Sequence, residues 1–168
     1  RFGVIGYGAI GQTSARLARG LGMTVIAFDA MLPPDAPIFA RTGVQAADLD
    51  TLLKTADVIT LHVPLVASTR GLIGADQLAR MRRGALLINT SRGHIVDLTA
   101  VANALRSGHL GGAAIDVFDV EPLTETQALD DCPNLLLTPH VSGLTKESNE
   151  RVSFMIADQV LAALAESL

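Results

Sequence analysis

A single cysteine, Cys132, is all the thiol chemistry this chain carries. An internal disulfide is therefore excluded, and the place beside Pro133 suits a neutral loop residue better than a nucleophile. Tryptophan is absent, and aromatic residues make up only 4% of the chain. Hydrophobic residues still reach 49%, so Ala, Leu, Val and Ile must build the core. Such residues suit parallel strands that are covered on both faces. No apolar run is long enough to cross a bilayer, and the first residues read as neither a signal nor a transit peptide. Basic residues number 13 against 17 acidic ones, a formal charge of −4, which gives no footprint for nucleic acid. Metal-ligand spacings are missing as well, and Asp48, Asp50, Asp130 and Asp131 read as helix caps and loop charge. The expectation is a domain of the reducing cytoplasm without a membrane, metal or nucleic-acid partner. At 168 residues it is large enough for one well-buried core.

What is present begins at once. Arg1-Phe2-Gly3-Val4-Ile5 is a strand-like run that feeds directly into Gly6-Tyr7-Gly8-Ala9-Ile10-Gly11, a G-x-G-x-x-G loop. A helical pattern follows, with Ile10, Leu17 and Leu21 on one side and Gly22 as its stop. A second strand, Thr24 to Phe28, ends on Asp29. In such a unit Gly6 permits the tight turn, Gly8 lets the backbone approach a pyrophosphate, and Gly11 lets helix and strand pack closely. The phosphates would sit over the N–H groups at the positive end of the helix. Asp29 is placed to accept hydrogen bonds from a ribose 2′-hydroxyl and would repel a 2′-phosphate, which favours NAD over NADP. A structural turn alone is the bland alternative.

Strands and helices then alternate. A loop with Pro33, Pro34 and Pro37 leads to an extended piece near Val44, and a helix capped at Asp48 or Asp50 runs to about Lys54. Asp57 to Leu61 is the next strand, and a loop from His62 to Thr69 precedes a short helix ending near Arg83-Gly84. Ala85 to Ile88, Gly112 to Asp116 and Leu135 to Leu137 read as further strands, with a helix from Asp97 to Ser107. Thr145 or Ser148 can cap a last helix, whose Val152, Met155, Ile156, Val160, Ala163 and Leu164 form an apolar stripe expected to face the core. The alternation predicts a Rossmann-type, doubly wound parallel α/β sheet of about six to seven strands with helices on both faces. Ligands of such sheets bind outside the carboxyl ends of the strands, where Arg92, Glu121 and His140 all fall. Each could instead be an ordinary polar residue of a strand end. His94 and His109 match no motif and are expected in solvent.

Read in order, Gly6 to Gly11, Asp29, Leu61 to Leu65, Asn89 to Gly93, Ala114 to Phe118, Glu121-Pro122 and Thr138 to Gly143 make a specific series. Through these motifs the chain resembles the nucleotide-binding domain of the D-isomer-specific 2-hydroxyacid dehydrogenases, over essentially all of its length. The resemblance implies hydride transfer between NAD(H) and a D-2-hydroxy acid or 2-keto acid. Arg92 would bind the substrate carboxylate and the carbonyl oxygen that gains charge, as a planar guanidinium suits both. His140 would deliver or remove the proton, and Glu121, on its other ring nitrogen, would orient it and favour the acid form. Asp116 would hold the nicotinamide carboxamide, with Thr90, Ser91, Ser142 and Gly143 lining the ring. Ala9 and Ile10 would offer N–H groups to the pyrophosphate, while His62, Val63, Pro64 and Thr69 flank the adenosine half, with packing as the other reading of His62. The family's substrate domain is expected outside residues 1–168, the isolated chain is expected not to turn over, and the full-length protein is expected to form a homodimer. Relatives that act as NAD(H)-responsive corepressors keep a second reading open.

Overall fold

The computed structural model describes residues 1–124 and 129–166. Short apolar runs form a seven-stranded sheet, entirely parallel, in the order β3-β2-β1-β4-β5-β6-β7. Its strands are β1 (Phe2–Ile5), β2 (Val25–Phe28), β3 (Gln45–Ala46), β4 (Val58–Leu61), β5 (Leu86–Asn89), β6 (Gly112–Ile115) and β7 (Leu135–Leu137). Helices α1 (Ala9–Gly20), α2 (Pro37–Thr42), α3 (Leu49–Thr55), α4 (Ala75–Arg80) and α5 (Leu98–Arg106) connect them, and α6 (Lys146–Glu166) follows β7. The chain winds outward from β1 to β3 and returns to β4 on the other side of β1, so a crevice opens at the carboxyl ends of β1 and β4. The predicted strands agree with these within a residue or two. The proline-containing loop holds a helix that the sequence reading left out, α2, which starts on Pro37 because proline is tolerated in a first turn.

Side-chain alternation divides the core. Ile5, Ile26, Ile59, Leu61, Leu87 and Ala113 point to one face, packed with Leu52 and Leu53 of α3, Leu78 of α4 and Val101 and Leu105 of α5. Val4, Val25 and Ala27 point to the other, against Ala15 and Ala18 of α1 and Phe39 of α2. This second face is covered only over its β3-β2-β1 half. Leu86 and Leu136, which the register places on that face, are 42% and 61% exposed.

One apolar stripe corrects the sequence reading, and another also lies outside the core. Ile10, Leu17 and Leu21 share a side of α1, but it is the exposed one, and Gly11, Ala15 and Ala18 face the sheet. Close packing explains the choice: a Cβ on Gly11 would come within 2.1 Å of the Gly6 carbonyl oxygen, so large residues are kept off that side. The stripe of α6 is not core either. Val152, Met155, Ile156, Val160 and Leu164 are all exposed, as is Ala163. The predicted cap is there, however, as a reciprocal pair of 3.0 Å bonds between Thr145 and Ser148.

Candidate functional site

The glycine loop leaves β1 and turns into α1 at the crevice. Asp29 anchors it, since its carboxylate accepts the Tyr7 N–H at 2.7 Å and the Met31 N–H at 2.8 Å. Helices α3 and α5 begin on Asp48 and Asp97, whose carboxylates accept from Thr51 and Ala100. By contrast, α1 starts on Gly8 with no side-chain cap and no acid in its first turn. A Cβ on Gly8 would meet no protein atom within 4 Å. Nothing inside the fold asks for glycine there, whereas a phosphate lying on uncapped N–H groups would. The residues present therefore fit a dinucleotide.

A second loop leaves β5. Asn89 is fully buried and clamps it from within: its amide donates to the Arg92 carbonyl oxygen at 3.0 Å and its Oδ1 accepts the Ser91 N–H at 3.0 Å. Ser91 donates its hydroxyl to the Leu61 carbonyl oxygen, tying the loop to β4. Gly93 then presses on the next loop, where a Cβ would sit 2.0 Å from the Phe118 carbonyl carbon. That contact sets the loop of Arg92 beside the loop of Glu121. Gly93→Ala is expected to force the two apart, at a cost of about 2 kcal/mol and a fall of roughly 4–8 °C in Tm, measured by thermal unfolding.

The third loop, after β7, hangs on Asp116. This side chain is 3% exposed and accepts the Thr138 hydroxyl at 2.5 Å and the Val141 and Ser142 N–H groups at 3.0 Å each. Burial works against its charge, but the hydrogen bonds from Thr138, Ser142 and Val141 outweigh it and hold the carboxyl well below the usual range. A depressed folded value means stability that is present above the unfolded pKa and lost as pH falls through the folded one. Asp116→Asn is accordingly expected to be less stable at neutral pH, and its deficit in urea unfolding is expected to shrink in strong acid.

The same loop presents His140, in the left-handed region at φ 57°. Its Nδ1 lies 2.7 Å from Glu121 Oε2, and Glu121 Oε1 accepts the Phe118 N–H at 2.9 Å. Hydrogen bonding to His140 first, then to Phe118, with the nearby Arg92 guanidinium adding to it, lowers the Glu121 pKa. Arg92 itself is exposed and donates from Nη1 to the Ser91 carbonyl oxygen at 2.6 Å.

These loops enclose one cleft of about 1040 Å3. Of the candidate residues, Ile10, His62, Val63, Pro64, Thr90, Ser91, Arg92, His140, Ser142 and Gly143 line it together. Gly6, Gly8, Ala9, Gly11 and Asp29 are not in its lining, nor are Asp116 and Glu121, which support it through Ser142 and His140. Thr69 is not in the lining: its hydroxyl closes its own loop on the Pro64 carbonyl oxygen at 2.6 Å. His62 is largely buried, which lowers its pKa, and it contacts Thr60 Oγ1 at 3.1 Å. Sequence reading missed Ser14, Leu65 and Leu144 in the lining and Asn89 as the clamp. Ser14 was within reach of it, one helical turn after Ile10. His94 and His109 are half-buried and not simply solvated: His94 Nδ1 lies 3.4 Å from Asp119, and His109 Nε2 donates to the Leu78 carbonyl oxygen at 2.9 Å.

Residues 1–142 match the family described as D-isomer specific 2-hydroxyacid dehydrogenase, NAD binding domain. The chain is 49% identical over 162 residues to the (S)-sulfolactate dehydrogenase of Chromohalobacter salexigens, covering 96% of this chain and 52% of the relative. Among solved structures, a D-lactate dehydrogenase of Treponema pallidum superposes with a TM-score of 0.88 at 34% identity, over 99% of this chain and 53% of the other. A D-isomer specific 2-hydroxyacid dehydrogenase of Lactobacillus delbrueckii ssp. bulgaricus, solved with NAD, gives 0.81 at 35% identity, over 96% and 52%. The chain spans about half the length of the curated relatives it matches.

Proposed function

Because the chain belongs to the D-isomer specific 2-hydroxyacid dehydrogenase family, as its NAD-binding domain, we propose that it supplies the cofactor site and the acid–base group of an enzyme that interconverts a D-2-hydroxy acid and its 2-keto acid. One observation carries the reading: the His140 ring lines the cleft together with Arg92 while its Nδ1 is held on Glu121 at 2.7 Å. That arrangement leaves Nε2 as the nitrogen available to a substrate.

When bound, NAD(H) gives or takes the hydride. The uncapped start of α1 at Gly8, Ala9 and Ile10 would hold its pyrophosphate, and Asp29 would hold the ribose through the lone pairs that Tyr7 and Met31 leave open. His62, Val63, Pro64 and Thr69 belong to the adenosine side, and Thr90, Ser91, Ser142 and Gly143 to the nicotinamide side. Asp116, assigned by the resemblance to the nicotinamide carboxamide, already accepts from Thr138, Val141 and Ser142, and would serve that side by fixing the loop of residues 138–142 as well as through any lone pair left open. Arg92 pairs with the substrate carboxylate and stabilises charge growing on the carbonyl oxygen. His140 gives that oxygen a proton in the reducing direction and removes it in the other. Glu121 fixes the orientation of the ring through Nδ1. A homodimer of the full-length protein fits the exposed apolar side of α6 and the half-bare sheet face.

The test is oxidation of NADH by the full-length protein with glyoxylate, hydroxypyruvate and pyruvate. Turnover with at least one is expected, whereas tight NADH binding without turnover of any 2-keto acid would favour a cofactor-responsive binding protein. Glu121→Gln is expected to lower kcat while NADH affinity is kept, because the carboxylate that holds the ring by Nδ1 is gone. An unchanged kcat in this variant would remove Glu121 from the relay.

A further inference from the structure

On the far side of α1 from the cleft lies a second cavity, of about 580 Å3, between α1, α2 and the start of β3. Their linings share no residue: Ile10 and Ser14 look into the cleft and Thr13 and Arg16 into this cavity, and the two meet at the start of α1, where Ala9 borders the cavity and its N–H belongs to the cofactor side. Arg16 and Arg19 enter it from α1 and Arg41 from α2. No carboxylate lines it, and among the described residues none of these arginines takes part in an ion pair. In a chain of net charge −4, that is positive charge gathered against the average.

The cluster is also held in place. Arg19 donates to the Thr42 carbonyl oxygen, and its guanidinium fills the space a side chain on Gly43 would need, 3.0 Å from the position of a Cβ there. Thr42 is fixed in turn by the Tyr7 hydroxyl at 2.8 Å and by its own bond to the Ile38 carbonyl oxygen at 2.7 Å. Gln12 spends one amide hydrogen on the Tyr7 carbonyl oxygen at 3.0 Å and keeps the other. Arg16 and Arg41 flank this fixed centre with their donors uncommitted to any acid.

We propose that this cavity is a binding site for a phosphate-bearing anion, separate from the dinucleotide cleft. Forked guanidinium donors match phosphate oxygens two at a time, and three lining one cavity without a carboxylate among them favour an anion there. Phosphate chemistry can come from a free inorganic anion or from a nucleotide, and inorganic pyrophosphate and ADP separate the two sources.

The experiment is calorimetric titration of each probe into the full-length protein saturated with NAD at constant ionic strength, so that the glycine loop is already occupied. Saturable binding of either probe is expected, weakened about tenfold or more in Arg16→Gln/Arg41→Gln. Both positions are exposed, so the variant is expected to keep wild-type circular dichroism and NAD affinity. Binding that survives in the variant, or heat that chloride at equal ionic strength reproduces, would overturn the proposal. NAD affinity, read in the same samples, reports separately on the cofactor site.

Discussion

Replacing His140 by alanine is expected to lower turnover of the full-length protein with its 2-keto acid by about 10²–10⁴-fold, the usual contribution of a positioned acid or base. NADH affinity is expected to be largely kept. The two effects separate because different parts of the fold supply them. In the proposed assignment cofactor affinity would rest on the loop between β1 and α1 and on Asp29, which Tyr7 and Met31 lock. The imidazole stands on the loop after β7, supported by Glu121 at 2.7 Å. Removing the ring leaves Asp116 and its three donors in place, so that loop keeps its path. The signature is a collapse of kcat with an NADH titration close to wild type. Wild-type turnover in this variant would exclude His140 from the proton path.

Arg92→Lys is expected to reduce kcat/KM by about 10²–10³-fold, although the charge is retained. A guanidinium offers two parallel donors to a carboxylate and further donors to a developing oxyanion, whereas an ammonium is a point charge without that fork. The backbone at this position is held by Asn89 and by the contact of Gly93 with Phe118, both independent of the side chain. Folding is thus expected to be unaffected, and the loss is expected in KM for the keto acid as well as in kcat. Steady-state kinetics with varied keto acid at saturating NADH measure both. A variant impaired in NADH binding alone would move Arg92 out of substrate recognition.

Much of the fold could be read in advance because its strands are short apolar runs bounded by glycine, asparagine and aspartate, and every crossover between parallel strands requires a helix or a loop. Loop residues such as Arg92, Glu121 and His140 could be named for a similar reason, since each follows a strand at one edge of the sheet. Periodicity alone could not say which side of a helix is buried. On α1 the glycine and alanines won the inward side because helix and loop come too close for anything larger. On α6 the stripe has the spacing of a core face but, among the described residues, no element covers it. The supports of the site were hidden for another reason. Asn89 acts through its own neighbouring backbone, and nothing in local sequence distinguishes such a clamp from any polar strand end.

Helix α1 opens toward the crevice without a carboxylate or hydroxyl of its own to satisfy its first turn. With the nucleotide's phosphates in that position, the ligand completes a helix that the polypeptide leaves unfinished, and mass action links occupancy to the folded population. At a hundred times its dissociation constant a ligand adds about 2.7 kcal/mol to stability. The protein's resistance to heat and proteolysis would then rise and fall with the NAD(H) pool around it.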